Sequence, residues 1–308
     1  MGSITLLLPV LIAIAVIVIV ARLGRDARVI RLSAPAAEAA QRASTRVQWR
    51  NRVAIVAGLL VAVAVGTVPL GIPEDLGRAA LLAPAVGATV AMLVFVLIPS
   101  AEFLESNAVR QADLRMRQAW DYARVWPVYA ALAASSLVLL VLGVLGDSEG
   151  RTISHHYGDQ AGATAGPYPG WFYLVPILVA VVVQAALTDL ALRRVARAPR
   201  PSDRSLREAD EAVRGTALQL IVRIGMASVL VTLGAALIGA GNSTMAVSDG
   251  VEATIGGKDA SLPGYAPLYA LGIVELILGV VAVGAGLALV LMAVRLATRR
   301  AFTVGAAR

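Results

Sequence analysis

The sequence contains no cysteine. This absence excludes disulfide bonds, thiolate metal sites and a cysteine nucleophile. Lysine is nearly absent too, since Lys258 is the only one and arginine supplies the other 26 of the 27 basic residues. Such heavy use of arginine and alanine is typical of a GC-rich bacterial genome. The Walker A, dinucleotide-binding, zinc-protease and kinase motifs are also missing, so we expect neither an enzyme nor a bound cofactor.

Hydrophobic residues, by contrast, make up 58% of the 308 residues, above the roughly 45–50% of soluble domains. A membrane-spanning helix needs about 20 apolar residues. Seven stretches meet this requirement, at about 4–21, 53–71, 79–99, 126–146, 171–192, 218–240 and 268–294. They are too long for membrane-spanning strands and lack the alternation of such strands. We therefore predict an all-α fold, in which residues 1–308 form one integral membrane domain with a bundle of seven transmembrane helices.

The arginines predict the orientation of this bundle. Twenty-three of the 27 basic residues fall in alternate inter-span segments and in the C-terminal tail; the others are Arg78, Arg151, Lys258 and the intramembrane Arg223. Because basic loops stay on the cytoplasmic side, we predict an external N-terminus and a cytoplasmic C-terminus in a bacterial plasma membrane. The net charge of +7 is then a consequence of topology, and we expect no nucleic-acid partner.

The first stretch has neither a basic beginning nor a clear cleavage site, so we interpret it as a retained span rather than a signal peptide cleaved near Ala21. It opens L-P-V-L-I-A, and the fifth stretch opens V-P-I-L-V-A. The similarity indicates either repeated helical hairpins of parallel orientation or a chance match between apolar hexamers.

Small residues recur at short intervals within several spans, as at Ala83, Gly87 and Ala91, four positions apart, or at Gly279, Gly284 and Gly286. In lipid, such residues let helix backbones approach closely. The pattern predicts a compact bundle, but it points to no ligand.

Two arginine-rich loops have helical periodicity and are candidates for docking a soluble protein. Leu104, Met116 and Trp120 share one apolar face in the first loop, and Leu206 and Val213 share another in the second. The alternative is that both segments merely extend the spans into the membrane interface. The sequence leaves open whether the chain forms homo-oligomers or hetero-oligomers.

Three ionisable residues lie within predicted spans, where a charge costs roughly 2.5–3.5 kcal/mol at the bilayer centre. Asp189 and Arg223 lie at similar depths near the cytoplasmic side, so we predict a salt bridge between them. Glu275 lies roughly 10 Å below the outer boundary by helical rise, with no basic residue at its depth. We expect it to be protonated for much of the time.

A neutral Glu275 has two interpretations. It can be a packing contact, with Ser135, Ser136 or Thr89 as the expected hydrogen-bond partner, or it can be a proton-binding site.

The second outer loop contains the only two histidines, His155 and His156, with Asp159 nearby. Imidazole and carboxylate groups suit a divalent metal, but adjacent histidines in a polar loop lack the usual spacing of ligands. We therefore expect an ordinary polar loop here. The third outer loop includes a strand-like segment at Val251 to Ile255.

Two functions follow as hypotheses. The first is a non-catalytic multipass membrane protein, the membrane subunit or scaffold of a transport or envelope complex, which docks a cytoplasmic partner. The alternative is a small proton-coupled secondary transporter that uses Glu275.

Overall fold

A computed structural model describes residues 28–32, 34–67, 77–98, 118–156, 162–199, 201, 206–255, 258–262, 264–298 and 302–306. The helices are α1 (Ala34–Thr67), α2 (Arg78–Leu97), α3 (Trp126–Leu145), α4 (Trp171–Arg197), α5 (Arg207–Ser248) and α6 (Ala266–Thr298). The strands are β1 (Arg28–Leu32), β2 (Ile153–His156), β3 (Gly162–Ala165), β4 (Val251–Ile255), β5 (Lys258–Leu262) and β6 (Phe302–Ala306).

All six of these helices are long and apolar enough to cross a membrane. They cover most of the second to seventh predicted spans, so the prediction of a mostly helical fold with several helices able to cross a membrane is confirmed. The first predicted span, 4–21, lies outside the described residues. The total of seven spans, the location of the termini and the repeat therefore stay predictions.

The six helices run alternately up and down, which gives the bundle two ends. One end, the arginine-rich side, holds the starts of α1, α3 and α5 and the ends of α2, α4 and α6. The other end, the hairpin side, carries the antiparallel pairs β2–β3 and β4–β5. The strand predicted at Val251 to Ile255 is confirmed as β4. Next to the arginine-rich side, β1 and β6 pair in parallel and join the segments before α1 and after α6.

Proline and glycine mark the helix boundaries. Pro127 occupies the first turn of α3, where its missing N–H needs no partner. Gly250 has φ of 87° directly after α5, a left-handed conformation that glycine adopts without steric cost and that ends a helix.

Glycines hold α5 and α6 together along an antiparallel seam. Gly241 of α5 faces Gly272 of α6. A second contact joins Gly234, seven residues before Gly241 on α5, to Gly279, seven residues after Gly272 on α6. A Cβ atom added to Gly279 would lie 2.8 Å from the Gly234 carbonyl oxygen, and one on Gly234 would lie 2.6 Å from that of Gly279. The two backbones are therefore in direct contact, as the small-residue pattern predicted. Gly58 of α1 and Gly87 of α2 make a second contact of this kind.

Exposed aromatic side chains encircle the bundle at two levels. The arginine-rich side carries Trp49, Trp120 and Trp126, and the hairpin side carries Trp171, Tyr265 and Tyr269. Tryptophan and tyrosine prefer the membrane–water interface because their rings are amphipathic. Helix α3 has 20 residues and is about 29 Å long by helical rise, close to the thickness of a bilayer core.

Between the two levels, the core consists mainly of side chains from α2 to α5, including Met92, Phe95, Leu139, Ile177, Leu218 and Ile221.

Candidate functional site

Glu275 lies in the glycine seam between α5 and α6. On α6 it follows Gly272 by three residues and precedes Gly279 by four, which places all three on the face that contacts α5. The side chain is 6% exposed, so it faces a helix and not lipid. Its Oε2 accepts a hydrogen bond of 2.9 Å from Thr244 Oγ1.

The partner of Glu275 differs from the sequence prediction. Ser135, Ser136 and Thr89 were expected, and these belong to α3 and α2, whereas Thr244 belongs to α5. Thr89 instead donates to the Ala85 carbonyl of its own helix at 2.8 Å. The expectation was wrong because depth in the membrane does not identify the neighbouring helix.

A buried tyrosine lies close to this pair on the hairpin side. Tyr168 is fully buried, and its hydroxyl has no hydrogen-bond partner among the described residues. Burial raises the pKa of Tyr168, and the nearby Glu275 carboxylate raises it further. The loop that carries it is fixed on α5, since Ser243 Oγ donates to the Pro167 carbonyl at 2.9 Å.

Asp189 and Arg223 do not form the predicted salt bridge. Asp189 pairs with Arg193 of its own helix at 2.8 Å and accepts a 3.0 Å hydrogen bond from Tyr129. Arg223 donates to the Met292 carbonyl on α6 at 3.4 Å. The prediction compared depth alone and ignored the direction in which each side chain leaves its helix. It also overlooked the basic residue four positions from Asp189.

A polar cluster that sequence reasoning missed lies between α4 and α5. Gln184 is fully buried, and its Nε2 donates to the Gly225 carbonyl at 3.0 Å and to Ser228 Oγ at 2.6 Å. Three further buried atoms of this region, Gln184 Oε1, Thr188 Oγ1 and Thr232 Oγ1, have no partner within the described part of the chain. A lone glutamine in an apolar span is the sequence signal for this cluster.

A second missed feature is a buried ion pair at the start of α5. Arg214 makes a bidentate contact with Asp210, at 2.7 and 2.8 Å, and both side chains are less than 5% exposed. The same guanidinium donates to the carbonyls of Val195, Ala198 and Pro199. Those carbonyls end α4 and lack partners within the helix, so Arg214 joins the end of α4 to α5. The D-x-x-x-R spacing was visible in the sequence, but its burial was not.

The residues predicted to dock a partner differ in their exposure. Leu206 and Val213 are buried within the chain, where they form a small core with Ala40, Val47 and Ala209. Trp120 is 66% exposed, at the level of the aromatic belt. Leu104 and Met116 lie outside the described residues.

The histidine loop forms the hairpin β2–β3 rather than an irregular loop. His155 stacks on Tyr265 at 5.0 Å between ring centroids, and His156 is exposed. Asp159 lies outside the described residues. Among the described residues, no group of three or more histidine, aspartate or glutamate side chains could hold a metal ion.

Before this hairpin, the chain makes a turn closed by Asp147. Its carboxylate accepts hydrogen bonds from the Thr152 hydroxyl and from the backbone N–H of Gly150. The Thr152 hydroxyl, with further help from backbone N–H groups, lowers the pKa of Asp147. This turn is thus held by an ionised carboxylate.

Comparison of the chain with protein-family models, with curated proteins and with solved structures finds no match.

Proposed function

We propose that this chain is a non-catalytic membrane subunit or scaffold that docks a cytoplasmic protein on its arginine-rich side. The observation that carries the proposal is a helical platform, defined as residues 34–50 of α1 together with residues 207–217 of α5. From Ala34 to Trp49 of the aromatic belt, α1 extends about 23 Å by helical rise. The helix therefore continues well beyond the level at which the membrane ends.

The platform has its own apolar core. Ala40 and Val47 of α1 pack against Ala209 and Val213 of α5, and all four are at most 2% exposed. The Asp210–Arg214 pair further fixes the start of α5 to the end of α4. Packing of this kind makes the projecting helices rigid, and rigid elements suit recognition of a partner.

The outward face of the platform is charged. Arg42, Arg46 and Glu38 are exposed on α1, and Glu208 and Glu211 are exposed on α5. The Arg42–Glu38 pair is 3.4 Å apart with both side chains largely exposed, so it contributes little stability and leaves the arginine able to exchange partners. A partner that docks here would make polar contacts around a helical surface.

Affinity purification in mild detergent tests this function. The parent chain should retain a soluble protein in near-equal amount, and the Arg42→Glu/Arg46→Glu double variant should lose it. Glu149→Arg, a charge reversal at an exposed position on the hairpin side, is the matched control and should retain it. The absence of any stoichiometric soluble protein, or equal retention by all three chains, would refute the proposal.

One observation favours a second candidate function, a small proton-coupled secondary transporter that uses Glu275. An ionised side chain inside the membrane costs roughly 2.5–3.5 kcal/mol, and the hydrogen bond that Glu275 accepts comes from a neutral hydroxyl. Such a carboxyl can bind a proton at little cost. Proton-driven uptake should fall in Glu275→Gln relative to the parent, and equal uptake would remove this candidate.

A further inference from the structure

We propose that Glu275 and Thr244 form a proton-binding site that exchanges its proton with the medium on the hairpin side, and that Tyr168 closes the path to that medium. This inference deepens the second candidate function. It does not require transport, because a carboxyl can bind a proton without coupling that event to a substrate.

The depth of the site places it near the hairpin side. Tyr269, exposed in the aromatic belt, precedes Glu275 on α6 by six residues, or about 9 Å of helical rise. Side chains of a helix incline towards its N-terminus, and α6 begins on the hairpin side. The carboxyl group therefore lies closer to that surface than its Cα atom does. Thr244, its partner, is four residues from Ser248, where α5 ends.

The path to the arginine-rich side is closed by backbone. Below Glu275 the seam continues through Gly234 and Gly279, and then through Gly286, where an added Cβ atom would lie 2.9 Å from the Ala227 carbonyl oxygen. Backbones this close leave no room for water between α5 and α6. A proton that reaches Glu275 along the seam must therefore arrive from the hairpin side.

Tyr168 lies next to this end of the seam, because its loop contacts α5 at Ser243, the residue before Thr244. Its loop is held by the hydrogen bond from Ser243 Oγ to the Pro167 carbonyl and by a 2.8 Å bond from the Tyr168 N–H to the Arg151 carbonyl. The ring is fully buried, and the hydroxyl has no partner in the described ranges.

Two side chains from different elements are established neighbours of Glu275. Helix α5 contributes the Thr244 hydroxyl, which does not titrate, and the loop before α4 contributes Tyr168. The pKa of Tyr168 is raised, by burial first and by Glu275 second, so its hydroxyl stays neutral at physiological pH. A change in the protonation of this site should therefore report on Glu275.

The absence of cysteine makes access directly measurable. In the Thr244→Cys chain, the single thiol should react slowly with a membrane-impermeant methanethiosulfonate reagent. Adding Tyr168→Ala should raise the rate from the hairpin side about tenfold or more, since a buried group otherwise reacts only through rare opening. Tyr168→Phe keeps the ring and should leave the rate unchanged.

The control is Ser228→Cys, in the middle of α5, whose labelling should not respond to Tyr168→Ala. Labelling after denaturation gives the total thiol, and gel filtration confirms that each variant is folded. Equal Thr244→Cys rates with and without Tyr168→Ala, or faster labelling from the arginine-rich side, would overturn the inference.

Infrared spectroscopy of sealed vesicles measures the proton itself. The carbonyl band of a protonated acid should be present in the parent, absent in Glu275→Gln, and sensitive to pH on the hairpin side alone. A band that is missing at neutral pH, or that follows pH on the other side, would overturn the inference. Uptake in Glu275→Gln tests the transport function separately, so the two failures are distinguishable.

Discussion

Thr244 Oγ1 donates a 2.9 Å hydrogen bond to Glu275 Oε2 across the seam between α5 and α6. Hydrogen bonds between membrane helices contribute about 0.6–2 kcal/mol. Thr244→Val should therefore lower the free energy of unfolding by an amount in this range, as measured by steric trapping in bicelles. Combining it with Glu275→Leu should cost less than the sum of the two single changes, and strict additivity would show that the bond contributes nothing.

The glycine seam predicts a steric effect at Gly279. An added methyl group would lie 2.8 Å from the Gly234 carbonyl oxygen, so α5 and α6 would have to separate. We expect Gly279→Ala to destabilise the chain by about 1–3 kcal/mol, measured by the same unfolding assay.

Gly215 is the matched control for this change. It lies within α5, where a Cβ atom would be 3.6 Å from the Tyr122 carbonyl oxygen, an ordinary contact. Gly215→Ala should be neutral or stabilising, because alanine has the higher helix propensity. A similar loss in both variants would contradict the role of the seam.

The buried Asp210–Arg214 pair should be costly to break from one side. Arg214→Ala leaves Asp210 without its partner and three carbonyls without a donor, so we expect a loss of about 3–5 kcal/mol. Arg193→Ala removes an exposed partner of Asp189 and should cost less than about 1 kcal/mol. Thermal unfolding in detergent, followed by circular dichroism, compares the two, and equal melting temperatures would refute the distinction.

The turn at Asp147 should depend on pH. Hydrogen bonding from Thr152 lowers the pKa of Asp147 from its ordinary value of 3.8. A carboxyl with a lowered pKa stabilises the folded state above its unfolded pKa, and this contribution is lost as the pH falls through the folded value. Hydrogen exchange of the Gly150 and Thr152 amides, corrected for the intrinsic exchange rate, should therefore accelerate below about pH 4.

Asp147→Asn removes the titrating group while keeping its size. In that variant the exchange of the same amides, corrected for the intrinsic rate, should no longer change between neutral and acidic pH. A parent chain whose turn is equally protected at pH 3 and pH 6 would be inconsistent with an ionised Asp147.

The orientation of the bundle can be tested with single cysteines. Thr45 is exposed on the arginine-rich side and Glu149 on the hairpin side. In intact cells an impermeant thiol reagent should label Glu149→Cys but reach Thr45→Cys only after the membrane is opened. The reverse pattern would place the platform outside the cell and remove the basis for a cytoplasmic partner.

Hydrophobic length alone predicted the positions of six helices, because a lipid core requires long apolar runs, but it did not predict that α1 and α5 begin well before their apolar stretches. Glu275 lies nine residues after Ala266, where α6 begins. Its partner could not be predicted, since Thr244 meets Glu275 through the rotation of α5 about its axis and through the choice of neighbouring helix. Neither of these is recorded in hydropathy.

The same limitation explains the other errors. Asp189 pairs with Arg193, one turn away on its own helix, and not with Arg223, which lies at a similar depth on α5. Leu206 and Val213 looked available for a partner because the sequence does not show that α1 extends far enough beyond the membrane to cover them.

The glycine seam has a mechanical consequence. Because the backbones of α5 and α6 touch at intervals of seven residues, neither helix can slide or tilt without the other. The pair should therefore move as a single rigid unit. Glu275 and Thr244 are enclosed within that unit and do not lie at a hinge. Any motion triggered by their proton must therefore begin where that unit contacts the rest of the chain. These places are the loop that carries Tyr168 and the polar contact between α4 and α5, where three buried oxygen atoms have no partner within the described residues.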